Sequence, residues 1–146
     1  MEGKSITGAR VIPIYKGKCL FHLRDNNPNI SHPNKWSFIG GGIEEGESFE
    51  ETIRRECGEE IGIVPTDLRY LGCTNLTACF YAYLSDKESE SLVLGEGQEI
   101  RFFSPDEMHG LNMAPRLEEL VTMYRDSLEK LIAREDLTAA DFGLKE

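Results

Sequence analysis

The sequence predicts an α/β fold, a mixed sheet with helices packed on its faces, on three observations. Strand patterns precede and follow a single short helix, so the sheet is assembled from segments distant in the chain. A long amphipathic pattern closes the sequence. A chain of 146 residues with 40% hydrophobic content holds one core without disulfide or metal staples. The expected organisation is a single domain over 1–136 with a polar tail over 137–146.

Taken in order, Arg10 to Tyr15 reads as a strand, and Pro13 points to an edge position or a bulge. Tyr15-Lys16-Gly17-Lys18 is a hairpin turn leading into a second strand, Cys19 to Arg24. Asp25 to Lys35, rich in Asn and Pro, is a loop. Trp36 to Ile39 is a short apolar strand that runs into Gly40-Gly41-Gly42, where the backbone turns or something approaches it closely. Ser48 to Ile61 is a helix. Ser48 and Glu51 form a capping box, Phe49, Ile53, Cys57 and Ile61 form its buried stripe, and Gly62 is its left-handed C-terminal cap. Leu68 to Cys73 and Leu76 to Leu84 are strands, the second apolar on both faces and so central. Ser85 to Gly97 is a charged loop with a short strand around Leu92 to Leu94. Ile100 to Phe103 is a further strand, and Ser104-Pro105-Asp106-Glu107 starts a short helix. A single helix from Pro115 to Arg134 follows, and the polar tail beyond Leu137 frays.

The formal net charge is −10. Such a balance argues against a nucleic-acid polymer or an anionic membrane as partner, both of which it repels on average. No apolar run approaches the roughly 18–20 residues of a membrane span, and Met1 to Tyr15 has no signal-peptide pattern. Cys19, Cys57, Cys73 and Cys79 form no C-x-x-C pair and have apolar neighbours, which suits reduced core thiols and a cytoplasmic location. His22, His32 and His109 lack the spacing of a zinc site.

One cluster demands a chemical reason. On a helix Glu56, Glu59 and Glu60 fall at about 0°, 300° and 40°, within one narrow arc. Like charges at these spacings repel. A hard divalent cation with oxygen ligands, Mg²⁺ or Mn²⁺, is the evident compensation. Between Glu44 and Glu60 there are eight acids and two bases, a net of −6, so most of the acidity is this one patch.

The segment resembles the Nudix box of the Nudix hydrolase superfamily: Gly, five residues, Glu, seven residues, then Arg-Glu-apolar-any-Glu-Glu-any-Gly-apolar. Gly41, Glu47, Arg55, Glu56, Glu59, Glu60 and Gly62 match its seven fixed types, and Ile63 supplies the closing apolar residue. Cys57 stands where a bulkier aliphatic is usual. The approach Trp36-Ser37-Phe38-Ile39-Gly40-Gly41 is similar to the Trp-x-Phe-Pro-Gly-Gly run of MutT-like members, with Ile39 in place of Pro. The resemblance implies a Nudix α/β/α sandwich and hydrolysis of a nucleoside diphosphate linked to another moiety by water attack at phosphorus. It implies Glu56, Glu59 and Glu60 as metal-binding carboxylates with the Gly40 carbonyl as a further ligand, and Arg55 and Glu47 as the residues that orient them. The proton of the attacking water goes to Glu59 or Glu60, or to Glu96. Gly95-Glu96-Gly97-Gln98 resembles the Glu-Gly-Gln loop of MutT-like members, with Glu99 as competitor for that role.

For the substrate, Trp36, Phe38, Tyr81 and Tyr83 are aromatics able to stack on a base. Asn112 resembles a purine-contacting Asn, one residue out of register, and Arg24 can meet a phosphate. A nucleoside triphosphate or related nucleotide is favoured. Dinucleoside polyphosphates and nucleotide sugars are the alternative substrates, and the long motif of NADH-type members is missing. A non-catalytic nucleotide-sensing domain is the other reading, although such domains commonly lose box glutamates that this chain keeps. An isomerase on this scaffold needs its own Cys and Glu pair. A monomer and a homodimer are equally compatible with the sequence.

Overall fold

The structure is a computed structural model that describes residues 6–146. Residues 1–5, on which part of the signal-peptide expectation rests, lie outside the described residues. The strands are β1 (Gly8–Tyr15), β2 (Lys18–Leu23), β3 (Trp36–Ser37), β4 (Ile39–Gly42), β5 (Leu68–Cys73), β6 (Thr77–Tyr83) and β7 (Glu99–Phe103). The helices are α1 (Phe49–Ile61), α2 (Asp86–Glu90), α3 (Pro115–Thr122) and α4 (Arg125–Ile132). Lys16 and Gly17 both have positive φ, 48° and 80°, so a type I′ turn joins β1 to β2.

One mixed sheet contains all seven described strands. β1 is its centre. β6 runs parallel to it from Gly8↔Thr77 to Ile14↔Tyr83, and β5 lies antiparallel beyond β6. On its other side β1 pairs with β4 over Gly8–Val11 and with β2 only at Ile14 and Tyr15. β1 and β2 therefore splay apart, and β3 and β4 fill the wedge, β3 on β2 and β4 on β1. β7 pairs with β2. Pro13 is thus in a central strand, contrary to the edge or bulge expected. It fits because the pairs with β4 stop at Val11 and those with β2 start at Ile14, so Pro13 sits where the partner changes and a missing N–H is tolerated.

Each face of the sheet carries its own core, which makes the α/β/α sandwich. α1 buries Ile53, Cys57 and Ile61 against Val11, Ile39, Ala78 and Phe80. α3 and α4 bury Leu117, Leu128 and Leu131 against Ile12, Phe21, Tyr83 and Phe103. The capping box on α1 is present in full and Gly62 caps it with φ 77°.

Several expectations need correction. Phe49, the first residue of α1, is 38% exposed rather than part of the buried stripe. Leu76 is 55% exposed and belongs to the turn before β6. Residues 92–94 are not a strand; a reciprocal Ser85–Glu88 capping box nucleates α2 just before them. The helix at Ser104 is a single 3-10 turn, Asp106–Met108. The closing helix is two helices, broken at Tyr124, where φ −109° and ψ 25° leave the helical region. The tail does not fray. Ala139–Phe142 forms a 3-10 turn, Ala139 and Phe142 are buried, and Cys73 and Lys145 exchange backbone hydrogen bonds of 2.7 and 2.8 Å. Among the described residues no helix is long and apolar enough to cross a membrane.

Candidate active site

α1 presents the acidic arc toward β4. Gly40–Gly42 are strand residues paired with Arg10, Ala9 and Gly8, so the triple glycine serves close approach rather than a turn. A Cβ at Gly41 would overlap the Glu56 carboxylate. Only a glycine strand lets the helix carboxylates come this near the backbone.

Arg55 organises the cluster. Its Nε donates to Glu47 Oε2 (2.7 Å) and its Nη2 to Glu47 Oε1 (3.1 Å), a two-pronged pair. Nη1 donates to Glu56 Oε2 (2.9 Å) and Glu59 Oε1 (3.3 Å), and Nη2 also reaches the Gly42 carbonyl (2.9 Å). Glu47 accepts further from the Glu44 amide and the Thr52 hydroxyl, both at 2.9 Å. The Arg55 guanidinium, then these bonds, hold the Glu47 carboxyl down to about 2.

Glu56 and Glu60 are buried, at 8% and 6% exposure, while the Glu59 side chain is 45% exposed. Glu60 Oε1 accepts from the Gly40 amide (3.2 Å). Burial, followed by a hydrogen bond with Glu56, pushes Glu60 up to about 9. Two neighbouring buried carboxylates cannot both carry charge without a proton or a cation between them. This donor set, hard oxygens in a cradle kept open by glycine, fits a divalent ion. Among the described residues no three His, Cys, Asp or Glu side chains converge closely enough to hold one as they stand; Glu59 is turned to Arg55, and Gly40 meets the cluster through its amide.

Glu96 lies on a loop clamped from two sides. The Gly95 amide donates to the Glu60 carbonyl and the Val93 amide to the Ile61 carbonyl, both at 2.9 Å. From β2, His22 Nε2 lies 3.0 Å from the Glu96 carbonyl, and the Gln98 amide donates to the Leu23 carbonyl. His22 is buried, and desolvation lowers its pKa, which favours the neutral Nε2–H form as donor. A Cβ at Gly97, φ 83°, would overlap the His22 ring. The negative charge of Glu96 reaches Glu60 and helps to raise it. Glu99, its competitor, instead pairs with Arg101.

A cleft of about 420 Å³ on the opposite side of Gly40 and Gly41 is lined by Arg10, Arg24, His32, Phe38 and Arg116, among others. Phe38 and Arg24 are therefore where a substrate can reach them. Arg24 is oriented by Nε on the Ser31 carbonyl (2.7 Å). Trp36 is not available: it is 7% exposed and packs edge-on against Phe103. Tyr81 sits edge-on to Tyr83, whose hydroxyl donates to the Leu131 carbonyl (2.6 Å), and both aromatics serve the core. Asn112 donates to the Asn34 carbonyl (3.2 Å) and bridges loops outside the lining. Trp36, Tyr81 and Tyr83 pack in the core on the α3 and α4 side of the sheet. The missed lining residues are Arg10, Arg116 and His32. Arg10, a lone cation in the apolar run of β1, was the available signal; it lies 4.4 Å from the Phe38 ring centroid.

The NUDIX domain family model matches residues 5–124. The chain belongs to the NUDIX family. Within it, the NAD-capped RNA hydrolase NudC of Mycobacterium tuberculosis is 34% identical over 101 residues, 62% of this chain and 32% of that protein. NudC of Mannheimia succiniciproducens is 30% identical over 126 residues, 82% of this chain and 45% of its own length. This NUDIX chain thus spans less than half of either relative. Among solved structures, the NUDIX domain of Shewanella oneidensis NrtR, complexed with ADP ribose, superposes with TM-score 0.66 at 18% identity over 88% of this chain and 90% of that one. The MutT protein of Methanosarcina mazei gives 0.65 at 21% over 88% and 98%. Both share the NUDIX fold described above.

Proposed function

We propose that this NUDIX domain hydrolyses a nucleoside diphosphate linked to another moiety, by attack of water at phosphorus. The observation that carries the reading is the buried Glu56–Glu60 pair set against the glycine strand, with a cation-lined cleft on the strand's far side. Glu56, Glu60, Glu59 and the Gly40 carbonyl are the groups that would hold a divalent cation, Mg²⁺ with Mn²⁺ as substitute. When bound, the cation neutralises diphosphate oxygens and lowers the pKa of a water. The chain's own contribution is orientation and proton transfer. Arg55, locked by Glu47, fixes the direction of Glu56 and Glu59. Glu59, Glu60 or Glu96 is the group that takes the proton of water. Arg24 and Phe38 contact phosphate and base in the adjoining cleft.

The substrate is a nucleotide-type small molecule. A dinucleotide of the NAD type is the second reading, favoured by the relatives that act, by name, on NAD-capped RNA. Free thiols at all four cysteines support a cytoplasmic site of action. The test is a panel of nucleoside triphosphates, dinucleoside polyphosphates, nucleotide sugars, ADP-ribose and NAD, each with Mg²⁺ and with Mn²⁺. Phosphoanhydride cleavage of at least one is expected. Tight binding with no turnover of any would replace the hydrolase by a nucleotide sensor.

A further inference from the structure

Cationic side chains gather at one place in this acidic molecule. Next to the cleft at Gly40 and Gly41 lies a second hollow of about 410 Å³, lined by Arg10, Arg116 and Lys145 together with Thr74, Asn75 and Thr77. Neither hollow has an Asp or Glu among its described lining residues. Both share Arg10, Thr77 and Arg116, so they form one continuous groove that leads away from the carboxylates. Lys145 is delivered there by the docked C-terminal segment: the reciprocal backbone bonds with Cys73 set its position, and its Nζ donates to Asn75 Oδ1 (2.5 Å). Arg116 has a single carboxylate neighbour, Glu119 at 3.3 Å, and Arg10 has the Phe38 ring rather than a carboxylate among the described residues. Among the described residues only Arg116 of these three cations has a carboxylate partner, so the positive charges are incompletely balanced and an anion between them relieves the repulsion.

We infer that the Arg10–Arg116–Lys145 hollow is a subsite for a further phosphate of the substrate, remote from the diphosphate that is cleaved. This rests on the hydrolase reading above. The hollow shares no residue of β4 with the cleft, so a diphosphate seated at the carboxylates leaves it free. The ligand class is a nucleotide derivative that carries a further phosphate on a ribose hydroxyl.

NAD and NADP differ by one such phosphate and give the test. With Mg²⁺, the wild-type protein is expected to show a KM about tenfold lower for NADP than for NAD, the scale of one charge-assisted contact. Lys145→Ala removes most of that difference by raising KM for NADP while kcat, and both constants for NAD, stay unchanged. Lys145→Arg restores it. Equal KM values for the two in the wild type, or a Lys145→Ala loss equal on both, overturns the subsite. If neither compound is cleaved, calorimetric binding of adenosine 2′,5′-bisphosphate against AMP decides. Tighter, Lys145-dependent binding of the bisphosphate keeps the subsite whatever the substrate panel says of the hydrolase reading, and equal binding overturns the subsite.

Discussion

At the scale of the residue, Arg55 shows what the box demands of a single side chain. Arg55 uses a planar fork: two bonds to Glu47, one to Glu56, two to Glu59 and one to the Gly42 carbonyl. Lysine keeps the charge but is a point donor and cannot span these partners. Arg55→Lys is therefore expected to lower kcat by about 10–100-fold, the cost typical of losing a residue that orients metal ligands, with KM little changed. Steady-state kinetics checks it, and an unchanged kcat would remove Arg55 from the positioning role. The fixed residue types were legible because chemistry demands them at set offsets. The packing of Trp36 and Tyr81 was not, because an aromatic that stacks on a base and one that fills a core have the same strand pattern; only the layer covering it distinguishes the two.

At the scale of the element, α1 was readable to its caps, since Ser48, Glu51 and Gly62 are local signals. The break at Tyr124 was not readable. The apolar period continues through it, and it is the need to bring Leu128 and Leu131 onto the sheet that redirects the chain. The segment around Glu96 was misjudged similarly, because its order comes from distant partners on β2 and α1 rather than from its own composition. That clamp leads to an expectation. Gly97→Ala forces the added methyl group into the His22 ring and displaces the loop. His22→Ala removes the donor to the Glu96 carbonyl. If Glu96 works in catalysis, both variants lower kcat by about tenfold or more with α1 intact by circular dichroism. Full kcat in both would mean that Glu96 is a bystander.

At the scale of the whole molecule, the −10 charge divides into an acidic box and a cationic groove on either side of the glycine strand. The box sets a pH dependence. Burial, then Glu56, pushes Glu60 up to about 9 in the folded protein, against about 4.3 in an unfolded chain. Between those values the native state binds more protons, so cation-free stability falls as pH rises through this window. Cys19 and Cys57, raised to about 12 by burial, extend the decline above the ordinary thiol range. A divalent ion bound by these carboxylates would replace the proton, so its stabilisation would grow with pH. Thermal melts from pH 5 to 9 are expected to show a Tm that declines without Mg²⁺, a Mg²⁺-dependent rise in Tm that is larger at pH 8 than at pH 5, and a flatter profile for Glu60→Gln. A Tm rise from Mg²⁺ that does not depend on pH would separate the ion from these carboxylates.

The most direct measurement is the single-turnover rate of Glu59→Gln and Glu60→Gln on whichever nucleotide the substrate panel identifies, with Mg²⁺ saturating and folding verified by thermal melt. Each substitution keeps the size of the side chain and removes a charge from the arc. The predicted result is a loss of at least about 100-fold in each folded variant. Near wild-type rates in either would contradict the assignment of these carboxylates to the chemistry.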